Sequence, residues 1–155
     1  ATLINAGNPT VFVDAARLGL KGTELQGDVN GDKALLARVE AVRALGAVAM
    51  GDAATPEEAT AKRPHTPKLS FVAKPAGYTA SGAVAIAAAA AIPGTVVHRV
   101  APVGPDGRVR FGHPSGTLRV GAEVAREGNR WAVKKVMMSR SARRLMEGWV
   151  RVPAS

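Results

Sequence analysis

The chain has 155 residues, no cysteine and three histidines, His65, His98 and His113. Without a thiol, disulfides, thiolate metal ligands and a cysteine nucleophile are all excluded within it. The histidines lie far apart, and no two have the spacing that puts a pair of ligands on one helix or strand face, so a metal centre finds no support. Asp28-x-Asn30-x-Asp32 has the opening of a calcium loop. Lys33, however, stands where such a loop needs glycine, and Val39 where it needs its last glutamate. Phosphate-cradling GxxxxGK[ST], GxGxxG and the nucleophile-elbow motif GxSxG are all missing, so Ser115 in His113-Pro114-Ser115-Gly116 does not read as a nucleophile. No cofactor is expected.

What the sequence offers instead is a set of turns carrying small polar groups. Asn5 and Asn8 flank an Ala-Gly-Asn-Pro turn, Ser81 and Gly82 open an apolar stretch, and His113 to Gly116 form a second polar turn. The one dense basic cluster is Arg140, Arg143 and Arg144. Amides beside a turn bond the local backbone or reach a ligand. The free N–H groups and dipole of a helix N-terminus favour an anion, and a planar guanidinium grips a carboxylate with two parallel hydrogen bonds. The coherent chemistry is carboxylate binding. Lys and Arg outnumber Asp and Glu by 21 to 12, a net charge of +9, which also attracts anions. Nucleic acid is the alternative partner, and a merely solvated basic face is the plainest reading. Arg108, Arg110, Arg119 and Arg126 are spread along expected strands and are not interleaved with aromatic residues, which argues against a base-stacking surface.

These groups need elements to hold them. Ser81 to Ile92 carries no charge over three helical turns, so a helix there is buried on every side and the rest of the chain wraps it. Ser81 is a suitable N-cap, and Pro93-Gly94 a stop. The run is well short of the about 20 apolar residues that span a bilayer, and no signal-like segment opens the chain, so the cytoplasm is expected. Strands are expected at Thr2–Ile4, Thr10–Val13 and Leu69–Ala73, with Asp14 to Gly31 a polar connection. Leu35, Leu36, Val39, Val42 and Leu45 mark an amphipathic helix from Asp32 to Val48, and Thr55-Pro56-Glu57-Glu58 a capping box opening a short helix that Pro64 closes. Beyond the central helix the period falls to two. Strands are expected at Thr95–Val100, around Val109 and Phe111, at Thr117–Val124 and Trp131–Met138 as a meander with a hairpin at Glu127-Gly128-Asn129, and last at Trp149–Val152. The size suits one α+β domain over 1–155.

The segments TLINAGNPTVFVDA, RPHTPKLSFVA, AVAIAAAAAIPGT, VRFGHPSGTLRVGAEV and VMMSRSARRLMEGWVRVP, in that order, resemble the second half of the PrpF-like 2-methylaconitate cis-trans isomerases of the diaminopimelate-epimerase-like superfamily. That resemblance implies a curved mixed or antiparallel sheet around a central helix at about 81–92, and an active site shared with a similar first domain. It implies an allylic isomerisation of an aconitate-type tricarboxylate, in the methylcitrate route of propionate breakdown: a base takes a proton, the double bond shifts, and a proton returns. The family's proton-handling lysine and cysteine belong to the first domain, so no catalytic residue carries over and the chain alone is expected to be inert or weak. Carried over as substrate-binding are Asn5, Asn8, Ser115, Gly116 and Arg140. The expected partners are a small polycarboxylate and either that first domain or a second copy, whose acid–base groups would be its lysines or His113; no membrane is expected. One departure is plain: family members carry further residues before the central helix, whereas here Tyr78-Thr79-Ala80 runs straight into Ser81-Gly82. The alternatives are a non-catalytic basic module for an anion or nucleic acid, or a related isomerase or tautomerase of unsaturated dicarboxylates.

Overall fold

A computed structural model describes residues 1–73, 83–113, 116–139 and Gly148, with only the backbone described for 111–113 and 116. Strands β1 (Thr2–Ala6) and β2 (Asn8–Asp14) pair antiparallel from Thr2↔Phe12 to Ala6↔Asn8. They run further than expected, leaving Gly7 alone to turn the chain at φ +83°, where a side chain would be strained. Val11, Phe12 and Val13 are all buried, as expected for a strand covered on both faces. Phe12 packs into the cluster around the central helix, while Val11 and Val13 join Leu18 and Leu35 on the other side.

A crossover of helices then returns the chain to β3 (Lys68–Val72), parallel to β2. The stretch Asp14–Gly31 is more regular than expected. Asp14 accepts from Ala16 N at 3.0 Å to cap a short 3-10 turn, Ala15–Leu18, and Asp28 accepts from Leu25 N at 2.9 Å in α1 (Gln26–Gly31). Helix α2 (Lys33–Met50) begins where Asp32 accepts from Leu35 N at 2.9 Å. Helix α3 (Pro56–Lys62) begins where Thr55 accepts from Glu58 N at 3.2 Å, the N-cap that the sequence announced; Glu58 accepts at 2.9 Å from Ala54 N, one residue before the N-cap, so the expected box is only half made.

Helix α4 (Ala83–Ala91) is the hub; Ala85 to Ala90 are buried without exception. Methyl side chains let two three-stranded sheets close on it: Phe12 and Val72 from β1-β2-β3, and Val109, Val120 and Ala122 from the second sheet. That sheet is the expected meander, β4 (Arg108–His113), β5 (Gly116–Glu127) and β6 (Arg130–Met138), with Gly128-Asn129 as its second turn.

The strand expected at Thr95–Val100 is instead helix α5 (Val96–Val100). The carbonyls at the end of α4 need donors. The Thr95 hydroxyl donates to Ala89 O, and His98 Nδ1, which must carry the proton because its partner only accepts, donates to Ala90 O at 2.8 Å. Thr95 also accepts from His98 N at 3.0 Å, capping α5. Both side chains reach these carbonyls because the chain coils at once, and this outweighs the strand preference of the β-branched run. The Ser81 cap, the basic cluster at Arg140, Arg143 and Arg144, and the strand expected at Trp149–Val152 lie outside the described residues.

Candidate substrate-binding site

The β1–β2 hairpin carries two of the expected substrate-binding residues, and its register separates them. Asn5 pairs with Pro9, and Ala6 with Asn8. Side chains alternate along a strand, so Asn5 shares a face with Leu3 and Val11, towards α2, whereas Asn8 shares the face of Ile4, Thr10 and Phe12, towards α4. Both are exposed. The backbone at Asn8 is held by Thr10, whose hydroxyl donates to the Asn8 carbonyl at 3.0 Å. Asn8 is thus the amide on the side of the central helix, and Asn5 is not its companion. Gly116 opens β5 opposite His113, in the hairpin whose second strand packs on α4. Ser115 and Arg140, the remaining two, lie outside the described residues, as do Ser81 and Gly82.

Among the described residues, two clefts flank this core. One, of about 650 Å³, runs between β1 and β6 and is walled by Thr2–Asn5, Ile92–Thr95, Arg130, Trp131 and Val133. The other, of about 420 Å³, sits at the ends of β2 and β3 beside α5, with Lys21 and Arg99 as its cations and Asp14 as its carboxylate. The sequence reading singled out Asn5 in the first cleft but neither Trp131 nor Arg130. Their strand was recognised, but nothing local says which strand of the other sheet it will face.

The shifted carboxylates are accounted for by structure. Backbone N–H groups, foremost that of Lys21, hold Glu24 below its ordinary value, and hydrogen bonding by Arg43 does the same for Glu40 against a smaller opposing effect of burial. Glu58 is lowered by the Ala54 N–H and then by Lys62. Glu40 in turn holds the Arg43 guanidinium above its usual value. These are caps and clamps, not a general base. Among the described residues no cluster of histidine, aspartate and glutamate could hold a metal, and no helix is long and apolar enough to cross a membrane.

Comparison with known proteins decides the relationship. The family described as PrpF protein matches residues 1–83 and 77–153. The chain belongs to the PrpF family. It is 50% identical to the 2-methyl-aconitate isomerase of Shewanella oneidensis and 49% identical to that of Cupriavidus necator, each time over 99% of this chain and 46% of the relative. A crystal structure of methylitaconate-delta-isomerase superposes with a TM-score of 0.75 at 33% identity, covering 96% of this chain and 46% of that one. The α+β fold around a buried helix is therefore the PrpF family's diaminopimelate-epimerase-like fold. The chain spans about half the length of the curated relatives it matches. Both isomerase alignments run over 182 residues against a chain of 155, so the relatives have positions with no counterpart here. The two family segments meet at 77–83, just before α4, where the sequence departs from the family pattern.

Proposed function

We propose that this chain is the substrate-holding half of a PrpF-type isomerase acting on a 2-methylaconitate-type tricarboxylate. The observation that carries the reading is the identity of about half its residues, along nearly its whole length, with two 2-methyl-aconitate isomerases. In such a reaction a proton leaves one carbon, its electron pair spreads over the allylic system and the adjoining carboxylate, and a proton returns to complete the shifted or rotated double bond. Donors already aimed at the carboxylate stabilise the charge without reorganising. In this chain those donors are the Asn8 carboxamide, the Ser115 hydroxyl, the Gly116 N–H and the Arg140 guanidinium; Asn5, on the other face of the hairpin, is secondary. The base belongs to the complementary half, so the chain alone holds substrate but turns it over weakly or not at all. As a single domain over 1–155, it needs that half, or a second copy, to complete the site.

The test is calorimetric titration of the chain with trans-aconitate. One hydrogen bond to a charged group is worth about 1.5–3 kcal/mol, so Asn8→Ala should weaken binding by roughly ten- to a hundredfold. Asn5→Ala should leave it nearly unchanged, and succinate should compete poorly. Equal affinity for wild type and Asn8→Ala would sink the assignment of Asn8. The net charge of +9 favours one second reading, nucleic-acid binding. It predicts an affinity for duplex DNA that falls steeply with salt, and indifference to aconitate.

A further inference from the structure

Asn8 is exposed at the tip of the β1–β2 hairpin, where a side chain goes wherever the backbone of the turn takes it. Three neighbours fix that backbone. Gly7 makes the turn alone at φ +83°. Pro9 confines the residue before it to extended conformations. Thr10 donates its hydroxyl to the Asn8 carbonyl at 3.0 Å, two residues back along the same strand. The glycine and the proline are demanded by the turn itself. The threonine is the member of the three that the fold does not require.

The burial of β2 shows why. Thr10, Val11, Phe12 and Val13 are all buried, and Thr10, 1% exposed, lies on the face turned to the apolar helix α4. A buried hydroxyl costs more than a methyl group unless it is hydrogen-bonded. Among the described residues its bond goes to the carbonyl of an exposed residue, an acceptor that water serves as well. Valine, nearly the same shape, fills the flanking positions 11 and 13. For stability alone, valine suits position 10 at least as well as threonine. We infer that Thr10 is a positioning residue: its hydroxyl holds the Asn8 peptide so that the carboxamide is presented to the substrate carboxylate in one orientation before substrate arrives. The inference rests on reading Asn8 as a substrate-binding residue. A donor fixed beforehand does not have to be ordered on binding, and the affinity gain comes from that saving. The hydroxyl is thus kept for the site and not for the core, a common division between function and stability.

The experiment is calorimetric titration of the full chain with trans-aconitate, paired with thermal unfolding. The variants are Thr10→Val, Thr10→Ser, Asn8→Ala and the double variant carrying Thr10→Val and Asn8→Ala. Thr10→Val should weaken binding about three- to tenfold, the worth of one neutral hydrogen bond, with a thermal midpoint equal to or above that of the parent chain. Thr10→Ser keeps the hydroxyl and loses the buried methyl, so it should bind as the parent does with a lowered midpoint. A threonine with a merely structural role does not give this crossed pattern, because its losses of stability and of binding move together. In the Asn8→Ala background Thr10→Val should cause no further loss, since the two residues act as one unit. Unchanged binding in Thr10→Val, or a loss of equal size with and without the Asn8 carboxamide, overturns the inference and leaves the role of Asn8 intact. So does a binding loss in Thr10→Ser as large as that in Thr10→Val. Parent-like binding in Asn8→Ala, or no uptake of trans-aconitate by the parent chain, overturns the reading of Asn8 and the inference with it.

Discussion

Arg43 is 5% exposed and makes four hydrogen bonds. Its Nε and Nη2 donate to Glu40 at 2.7 and 2.6 Å, and Nη1 donates to the carbonyls of Arg63 and Thr66 at 3.0 and 2.7 Å. The guanidinium thus ties α2 to the link that carries α3 into β3, and so helps seat β3 against the hairpin that bears Asn8. Arg43→Met keeps most of the apolar stem and deletes all four bonds. The Thr66 carbonyl, on a half-buried residue, loses its donor at about 1–3 kcal/mol; the Arg63 carbonyl, on an exposed one, rehydrates at lower cost. The Glu40 side chain is 39% exposed and also rehydrates, so its share is at most about 1 kcal/mol. The sum is about 2–4 kcal/mol, which for a domain of this size lowers the thermal midpoint by roughly 5–15 °C. Urea unfolding should show a lower midpoint with an unchanged slope. Combining the substitution with Glu40→Gln should cost less than the two separately, because they share one interaction. A loss below about 0.5 kcal/mol for Arg43→Met would refute the claim that this buried clamp stabilises the fold.

The same clamp sets an acid response. Glu40 is held below its ordinary value near 4.5, so its contribution is complete above that value and is lost as pH falls through the lower folded value. Glu40→Gln should therefore flatten the acid side of a stability profile measured by urea unfolding. In α4, Ala89 is fully buried, and Ala89→Leu adds three carbons where both sheets close in. It should cost about 1–3 kcal/mol or more, with a smaller loss for Ala91→Leu at the half-buried end, both read by thermal unfolding. Gly22 has φ +83°, and a Cβ there would lie 2.3 Å from the Cβ of Ala73. Gly22→Ala should destabilise by at least the about 1–2 kcal/mol of left-handed strain. Adding Ala73→Gly should recover the steric part but not the backbone part.

Most helices and strands were legible because their signals are local. Asp32 and Thr55 announce α2 and α3 through the N–H groups they cap, Pro93-Gly94 announces the end of α4, and the absence of any charge from Ser81 to Ile92 announces burial on all sides. The segments that resemble the PrpF family were legible for the same reason. The misreadings occurred where a distant group decided the outcome. Thr95–Val100 has the composition of a strand, yet it coils because the last carbonyls of α4 need Thr95 and His98. The 3-10 turn and α1 within Asp14–Gly31 rest on single side-chain caps, too short to leave a period.

For the site, the sequence by itself determined which residue types are present: amides, a hydroxyl and guanidinium groups suited to a carboxylate, no thiol, and a central helix slim enough to be wrapped. Tertiary structure alone decided how they are used. A turn of one residue at Gly7 sets the register that sends Asn8 to the face of α4 and Asn5 to the face of α2. Among the described residues, the closing of two sheets on one helix leaves β1 and β6 on either side of a cleft. Residue types are local properties of the chain. Register and the meeting of sheet edges follow from hydrogen bonds and packing between segments far apart in sequence, which no local pattern encodes.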